Sequence, residues 1–385
     1  MQPPAFAPEP GADALAHSGR LAAHIRAGIA AAGGWISFAR YMELALYAPG
    51  LGYYAAGATK FGAAGDFVTA PEISALFGRS VARQVAQVLR ASSPQVLEFG
   101  AGTGKLAADL LNTLGEACAG YAILEPSPDL RQRQADTLRR LAPDAFAKVR
   151  WLDTLPAQFS GCIVANEVAD AMPVHLLHID GDAIDERGVT LDSSGRFSYA
   201  DRPAQGAVLA AAQALALEES GDYVTEINLA ARAWVASLAG CLTDGAALII
   251  DYGFPAREYY HPQRLRGTLM CHYRHHAHDN PFLLPGLQDI TAHVDFSALA
   301  DASEEAGLPL LGYTSQAAFL LDCGITDLLA AVPAADSARY LPLANQANRL
   351  LSPAEMGELF KVMLLGREGI EAPLGFRSGD RSRRL

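Results

Sequence analysis

The 385-residue chain predicts an α/β fold built on a parallel sheet. Three observations carry that prediction. From Gln95 onward, short apolar runs alternate with helix-forming runs, the pattern of strands joined through crossover helices. The first run, Val96-Leu97-Glu98-Phe99, turns through Gly100-Ala101-Gly102-Thr103-Gly104 into the helix-forming stretch Lys105 to Leu114. The second run, Tyr121 to Leu124, also closes on an acid, Glu125, before Pro126-Ser127-Pro128 opens another helix.

The elements follow in order. Residues 1–12, rich in proline and small residues, predict a disordered end. Leu15 to Ala32 is alanine-rich, is bounded by Gly33-Gly34 and predicts a helix. Residues 34–78 are dense in Gly, Pro and aromatic residues without periodicity, notably Tyr47-Ala-Pro-Gly-Leu-Gly-Tyr-Tyr54 and Phe61 to Glu72. Such a stretch predicts a functional loop or lid. A helix follows over 73–89, then strand 95–99, helix 103–116, strand 120–125, helix 127–141 and strands 147–151 and 161–165. Residues 174–200 read as a β meander, with helices at 205–218 and 228–241. Ala246 to Gly253 is a further buried strand carrying Asp251. Helix 295–306 leads to strand-like Leu308–Tyr313, and Leu359–Leu365 supplies a last strand after a helical insertion at 315–350. The basic tail Arg377 to Leu385 predicts a solvated end.

Composition excludes several classes. No apolar run approaches the ~18 residues of a membrane span, and the N-terminus lacks the charged flank and apolar stretch of a secretory signal. Five cysteines, widely spaced and without Cys-x-x-Cys, fit buried thiols in a reducing compartment and no disulfide frame. The net charge of −12 disfavours nucleic acid and is compatible with a cationic protein substrate.

Three cofactors compete for the glycine loop. A P-loop needs Gly-Lys followed by Ser or Thr, but Lys105 is followed by Leu106. A dinucleotide fingerprint needs its third glycine where Lys105 stands, which argues against a NAD-linked enzyme. The Glu-x-Gly-x-Gly-x-Gly loop of S-adenosylmethionine (SAM) methyltransferases remains, with Glu98 and Gly100, Gly102 and Gly104 in register. The competing reading is a tight strand-to-helix turn with no ligand. Glu125 stands about 20 residues beyond the glycines, where a carboxylate grips a ribose diol; it also suits a helix N-cap.

Ligands of open α/β sheets sit at the carboxyl ends of the strands. That rule gathers Glu98, Glu125, Asp153, Asn166, Glu167 and Asp251 along one rim. So many acids are costly together unless a cation is bound. In a helical turn Glu167 and Asp170 share a face and can grip a guanidinium; acids decorating a helix start are the plain alternative. Asp66, Glu72 and His293 are further candidates on the substrate side. The cluster His272, His275, His276 and His278 lacks metal-ligand spacing, so no metal is expected. Methyl transfer needs alignment and exclusion of water. An arginine nucleophile, with a pKa above about 12, also needs carboxylates to orient it and receive its proton.

Five ordered motifs resemble the MidA-like SAM-dependent methyltransferases: Gly65 to Ser74, Val96 to Gly104, Ala165 to His175, Ile250 to Gly253 and Gln288 to Phe296. The resemblance runs from about Trp35 to Arg367. It implies a seven-stranded, Rossmann-like methyltransferase sheet with a helical N-terminal segment and large insertions. Residues 1–90 then form part of the active-site wall, and residues 91–385 form the methyltransferase domain with insertions near 174–244, 254–294 and 315–357. It also implies symmetric dimethylation of an arginine on a core subunit of respiratory complex I, aiding its assembly. Gly100, Gly102, Gly104 and Glu125 match the SAM site, and Asn166 and Glu167 match the motif after the fourth strand. Val168 and Ala169 are smaller than the family's usual residues, and Cys271 stands where members often carry Gly. A different-class alternative is a SAM-sensing assembly chaperone without turnover. Lacking an Arg-rich transit segment, the chain reads as cytoplasmic, with a homodimer as one possible state.

Overall fold

A computed structural model describes residues 9–55, 69–215, 221–367, 369–370 and 372–385. The chain divides into two compact units, one of Met1–Phe67, Asp170–Ala231 and Arg257–His293, the other of Val68–Ala169, Arg232–Ala256 and Val294–Leu385. This division differs from the expected boundary at residue 90. Much of the two insertions expected near 174–244 and 254–294 shares a unit with the N-terminal segment, whereas Val68 to residue 90 groups with the glycine loop.

The second unit is a mixed α/β fold on a largely parallel sheet. Its strands run Leu310–Ser315, Phe360–Gly366, Leu242–Phe254, Phe159–Asn166, Gln95–Phe99, Gly120–Leu124 and Val149–Leu152, and the short Val294–Asp295 pairs beside Leu242–Phe254. The pairings among the last five strands of that path are parallel. Phe360–Gly366 lies antiparallel to both of its neighbours. Buried strands of this kind read as continuous apolar runs because helices cover both faces. Ala75–Ala91 buries Leu76, Phe77, Val81, Val85 and Val88 in the same core as Leu106, Leu110 and Leu111.

The helix expected over 73–89 is two helices, Ala70–Ile73 and Ala75–Ala91. Ser74 separates them in extended backbone, and its hydroxyl accepts the Leu76 N–H at 3.2 Å, a side-chain cap that restarts the helix. The tail is docked where a solvated end was expected. The Tyr313 N–H donates to Asp380 at 3.2 Å, the Thr314 hydroxyl to the Gly379 carbonyl, and Arg381 pairs with Glu358.

Among the described residues the first unit holds two sheets. One pairs Ile36–Ser37, Ala183–Leu191, His175–Asp180 and Tyr223–Ile227 in that order, with Phe197–Pro203 on Ala183–Leu191. The other is antiparallel: His276–His278, Met270–Tyr273, Asp289–Thr291. The expected meander at 174–200 therefore gains Tyr223–Ile227, and the stretch between residues 254 and 295 contains a small sheet. Within the stretch read as aperiodic, Phe38–Tyr47 is a helix capped by Ser37, whose hydroxyl accepts the Arg40 N–H at 3.1 Å. The helix expected at 205–218 is Gly206–Ala214; residues 216–220 lie outside the described residues, as do the first eight of the end expected to be disordered and most of Phe61 to Glu72.

Candidate functional site

The glycine loop takes its shape from three left-handed backbones. Gly100, Gly102 and Gly104 have φ of 58°, 53° and 83°, values that residues with a Cβ rarely adopt. A Cβ on Gly104 would lie 3.2 Å from Gln134 Cα, so that glycine serves close packing; a Cβ on Gly102 would meet no atom within 4 Å. The loop is thus packed at its end and open at its centre.

Gln134, fully buried in helix Pro128–Leu141, ties this loop to the next strand. Its Nε2 donates to the Gly102 carbonyl at 3.2 Å and to Glu125 Oε2 at 3.1 Å, and its Oε1 accepts the Trp151 indole N–H at 2.8 Å. The other oxygen of Glu125 accepts the Ser127 N–H at 3.0 Å. Sequence reasoning missed Gln134. The available signal was a polar residue on the apolar stripe Leu130, Ala135, Leu138.

The remaining acids have distinct surroundings. Glu98 is 2% exposed and accepts the Tyr121 hydroxyl at 2.8 Å. Burial pushes its carboxyl up to about 7, against the lowering effect of that one hydrogen bond. Asp153 is exposed and pairs with Arg131 at 2.6 Å, an arrangement worth little in water. Glu72 accepts a hydrogen bond from the Thr103 hydroxyl and so braces the cofactor-type loop from the helix Ala70–Ile73.

At the end of strand Phe159–Asn166 the chain turns sharply. Glu167 is left-handed, with φ of 53°, and its N–H donates to the Ile250 carbonyl at 2.9 Å. Asp251, fully buried, accepts the N–H groups of Val168 at 3.1 Å and Ala169 at 2.9 Å on one oxygen and that of Tyr252 at 2.9 Å on the other. Asp251 is therefore a backbone clamp, which corrects its reading as one of several rim acids awaiting a cation. Asn166 donates to Glu167 Oε1 at 3.1 Å, while its own Oδ1 is buried with no hydrogen-bond partner among the described residues.

Asp170 and His293 belong to the first unit. The Asp170 carbonyl accepts the Ala292 N–H at 3.0 Å, and the His293 N–H donates to the Thr268 hydroxyl at 3.0 Å. Asp66 lies outside the described residues. The histidine cluster forms a hairpin, His272 and His276 on paired strands, with Arg274 and His275 in its left-handed turn. Among the described residues no group of three or more His, Cys, Asp or Glu could hold a metal.

A parallel sheet, a triple-glycine loop after one strand and a buried acid after the next define a SAM-dependent methyltransferase as the class. Comparison with known proteins agrees. Residues 79–314 match the family model of S-adenosyl-L-methionine-dependent methyltransferases. Protein arginine methyltransferase NDUFAF7 of Danio rerio is 30% identical over 85% of this chain and 82% of its own, and the Caenorhabditis elegans homolog is 27% identical over 90% and 86%. A crystal structure from Burkholderia thailandensis, bound to S-adenosyl-homocysteine, is 55% identical, covers 98% of this chain and 100% of its own, and superposes with a TM-score of 0.94. The chain belongs to the MidA-like family of SAM-dependent methyltransferases, which includes NDUFAF7. It is a methyltransferase, and SAM is its cofactor. The residues present fit that ligand: an open glycine cradle and a buried amide oxygen with an acceptor to spare.

One expectation is overturned. The relatives are named as mitochondrial proteins, which contradicts the cytoplasmic compartment read from the missing transit signature. No described helix is long and apolar enough to cross a membrane.

Proposed function

We propose that this chain is a protein arginine methyltransferase that symmetrically dimethylates an arginine on a core subunit of respiratory complex I and so aids its assembly. The observation that carries the reading is the similarity, over 85% of the chain, to a relative named as a protein arginine methyltransferase. The path of seven strands, Val294–Asp295 being the eighth beside it, is assigned to the Rossmann-like methyltransferase layout. Residues 91–385 remain the proposed methyltransferase domain.

SAM supplies a methyl group already activated on a sulfonium. The protein's work is to hold that cofactor, orient the acceptor nitrogen, exclude water and take up a proton. Gly100, Gly102 and Gly104 allow close approach of the cofactor, and Glu125, fixed by Gln134, presents a carboxylate for hydroxyl donors. Asn166 adds its spare acceptor. Glu98, its carboxyl kept largely protonated below about pH 7 by burial, is assigned to the cofactor side from within the sheet, and Asp153 closes the third strand of that edge. Glu167 is assigned to the guanidinium, orienting it and receiving its proton, and Asp170 stays a candidate carboxylate of the first unit. Asp66 and His293 stay secondary candidates, and Glu72 acts through Thr103. A homodimer belongs to the same proposal and is read by light scattering.

The test is mass spectrometry of the purified complex I core subunit incubated with the protein and SAM. Symmetric dimethylarginine supports the reading. SAM binding without methylated product overturns it in favour of a chaperone; product on another residue type overturns the arginine assignment.

A further inference from the structure

The aromatic stretch Tyr47 to Tyr54 has no role in the account so far, yet its geometry is specific. Helix Phe38–Tyr47 ends there and the chain doubles back, with the Tyr53 N–H on the Ala45 carbonyl at 2.9 Å and the Tyr54 N–H on the Leu46 carbonyl at 2.8 Å. A Cβ on Gly52 would lie 2.6 Å from the Leu46 backbone, so the turn admits only glycine. The fold-back lays Tyr54 on Tyr47, ring centroids 5.5 Å apart and planes at 20°. Tyr47 is nonetheless 40% exposed, one of few large apolar side chains so open among the described residues.

Both phenols are tied to acid-bearing segments. The Tyr47 hydroxyl donates to the Ala171 carbonyl at 2.9 Å, next to Asp170. The Tyr54 hydroxyl reaches both oxygens of Asp289, at 3.0 and 3.1 Å. The bond from the Ala292 N–H to the Asp170 carbonyl closes the circuit between the two acids. Desolvation at the hydroxyl ends, then the neighbouring charges with Asp289 foremost, raises both phenols above the usual tyrosine range, although part of the Tyr47 ring is exposed. In strand Asp289–Thr291 alternation puts Thr291 on the face of Asp289, while Ile290 faces the apolar core. Thr291 is 2% exposed, and its hydroxyl has no hydrogen-bond partner among the described residues.

We propose that Tyr47, backed by Tyr54 and flanked by Asp170, Asp289 and the Thr291 hydroxyl, is the seat of a substrate guanidinium. The inference rests on the arginine reading above, which already names Asp170, and adds Tyr47, Tyr54, Asp289 and Thr291 to it. A guanidinium is a planar cation that stacks on an aromatic face and presents a fork of donors to carboxylates. An ammonium has no such plane, and a neutral urea lacks the charge. A partly exposed ring backed by a second ring, with two buried acids and a buried spare hydroxyl in the same unit, matches the first of these.

The experiment is an NMR titration of the full chain, saturated with S-adenosyl-homocysteine, with Nα-acetyl-arginine amide and its citrulline and lysine counterparts. The arginine probe binds, and the citrulline and lysine probes bind at least about tenfold more weakly. Tyr47→Phe keeps the arginine affinity within about twofold, whereas Tyr47→Ala loses about five- to tenfold, with S-adenosyl-homocysteine affinity unchanged in both as the check on folding. No binding of the arginine probe, equal binding of citrulline, tighter binding of lysine, or an unaffected Tyr47→Ala each overturns the site. Methylarginine formation separates the two claims. Wild-type turnover in Tyr47→Ala removes the site and leaves the activity; arginine-probe binding without any methylated arginine removes the activity and leaves the site.

Discussion

Two turns at the carboxyl ends of adjacent strands meet the same backbone demand by different means. After Gln95–Phe99 the chain goes left-handed three times, each time at glycine. After Phe159–Asn166 it goes left-handed at Glu167, a residue with a full side chain. Glycine adopts that conformation without steric cost. For glutamate it costs on the order of 1 kcal/mol and persists only if the surroundings impose it. Asp251 imposes it, with Val168, Ala169 and Tyr252 N–H groups on its carboxylate. The first turn therefore leaves open space at Gly102, and the second holds a glutamate in a strained backbone.

If that contrast is correct, the largest effect falls on chemistry at the second turn alone. Glu167→Gln leaves S-adenosyl-homocysteine affinity within about threefold and lowers the rate of methyl transfer by roughly a hundredfold or more, the scale of a lost acid–base group; turnover near wild type breaks the assignment. Asp251→Ala strands three N–H donors, that of Ala169 buried and those of Val168 and Tyr252 part-buried, and costs about 3 kcal/mol in denaturant unfolding. A loss under about 1 kcal/mol means the clamp does not exist.

The acids behind the turns differ too. Asp251 has three backbone donors, whereas Glu98 has one phenol, and burial dominates its pKa of about 7. Because that value lies above the unfolded one near 4.3, the folded state keeps a proton that the unfolded state has lost. Stability from this group is full below about pH 4 and is lost as pH rises through about 7, a change of about 3–4 kcal/mol. Glu98→Gln removes this component from urea-unfolding stability measured between pH 5 and 8; an identical pH slope in variant and wild type contradicts the burial argument. The smallest effect sharpens the strain claim: Glu167→Gly stabilises the protein by about 1 kcal/mol while Glu167→Ala does not.

The contrast also explains what the sequence disclosed. The glycine loop was legible because its determinants are contiguous, and so were Glu125 and the strand-helix alternation around it. Gln134 and Asp251 were not, because they act on backbone 32 and 83 residues away. Tyr223–Ile227 escaped because all five of its residues are buried, including Thr225 and Glu226, so it shows neither alternation nor an apolar run. Glu226 is satisfied by the N–H groups of Thr268 and Leu269, partners more than forty positions on. The strands between residues 255 and 295 are two to four residues long, too short to display a period of two. The compartment was misread because a missing transit pattern was treated as information.

The central claim is that the open middle of the glycine loop is where the cofactor lies. Calorimetric titration of S-adenosyl-homocysteine into wild type and Gly102→Val tests it most directly. The account predicts clear saturable heat for the wild type and none for a variant that still unfolds cooperatively. Equal affinities in the two proteins would contradict it.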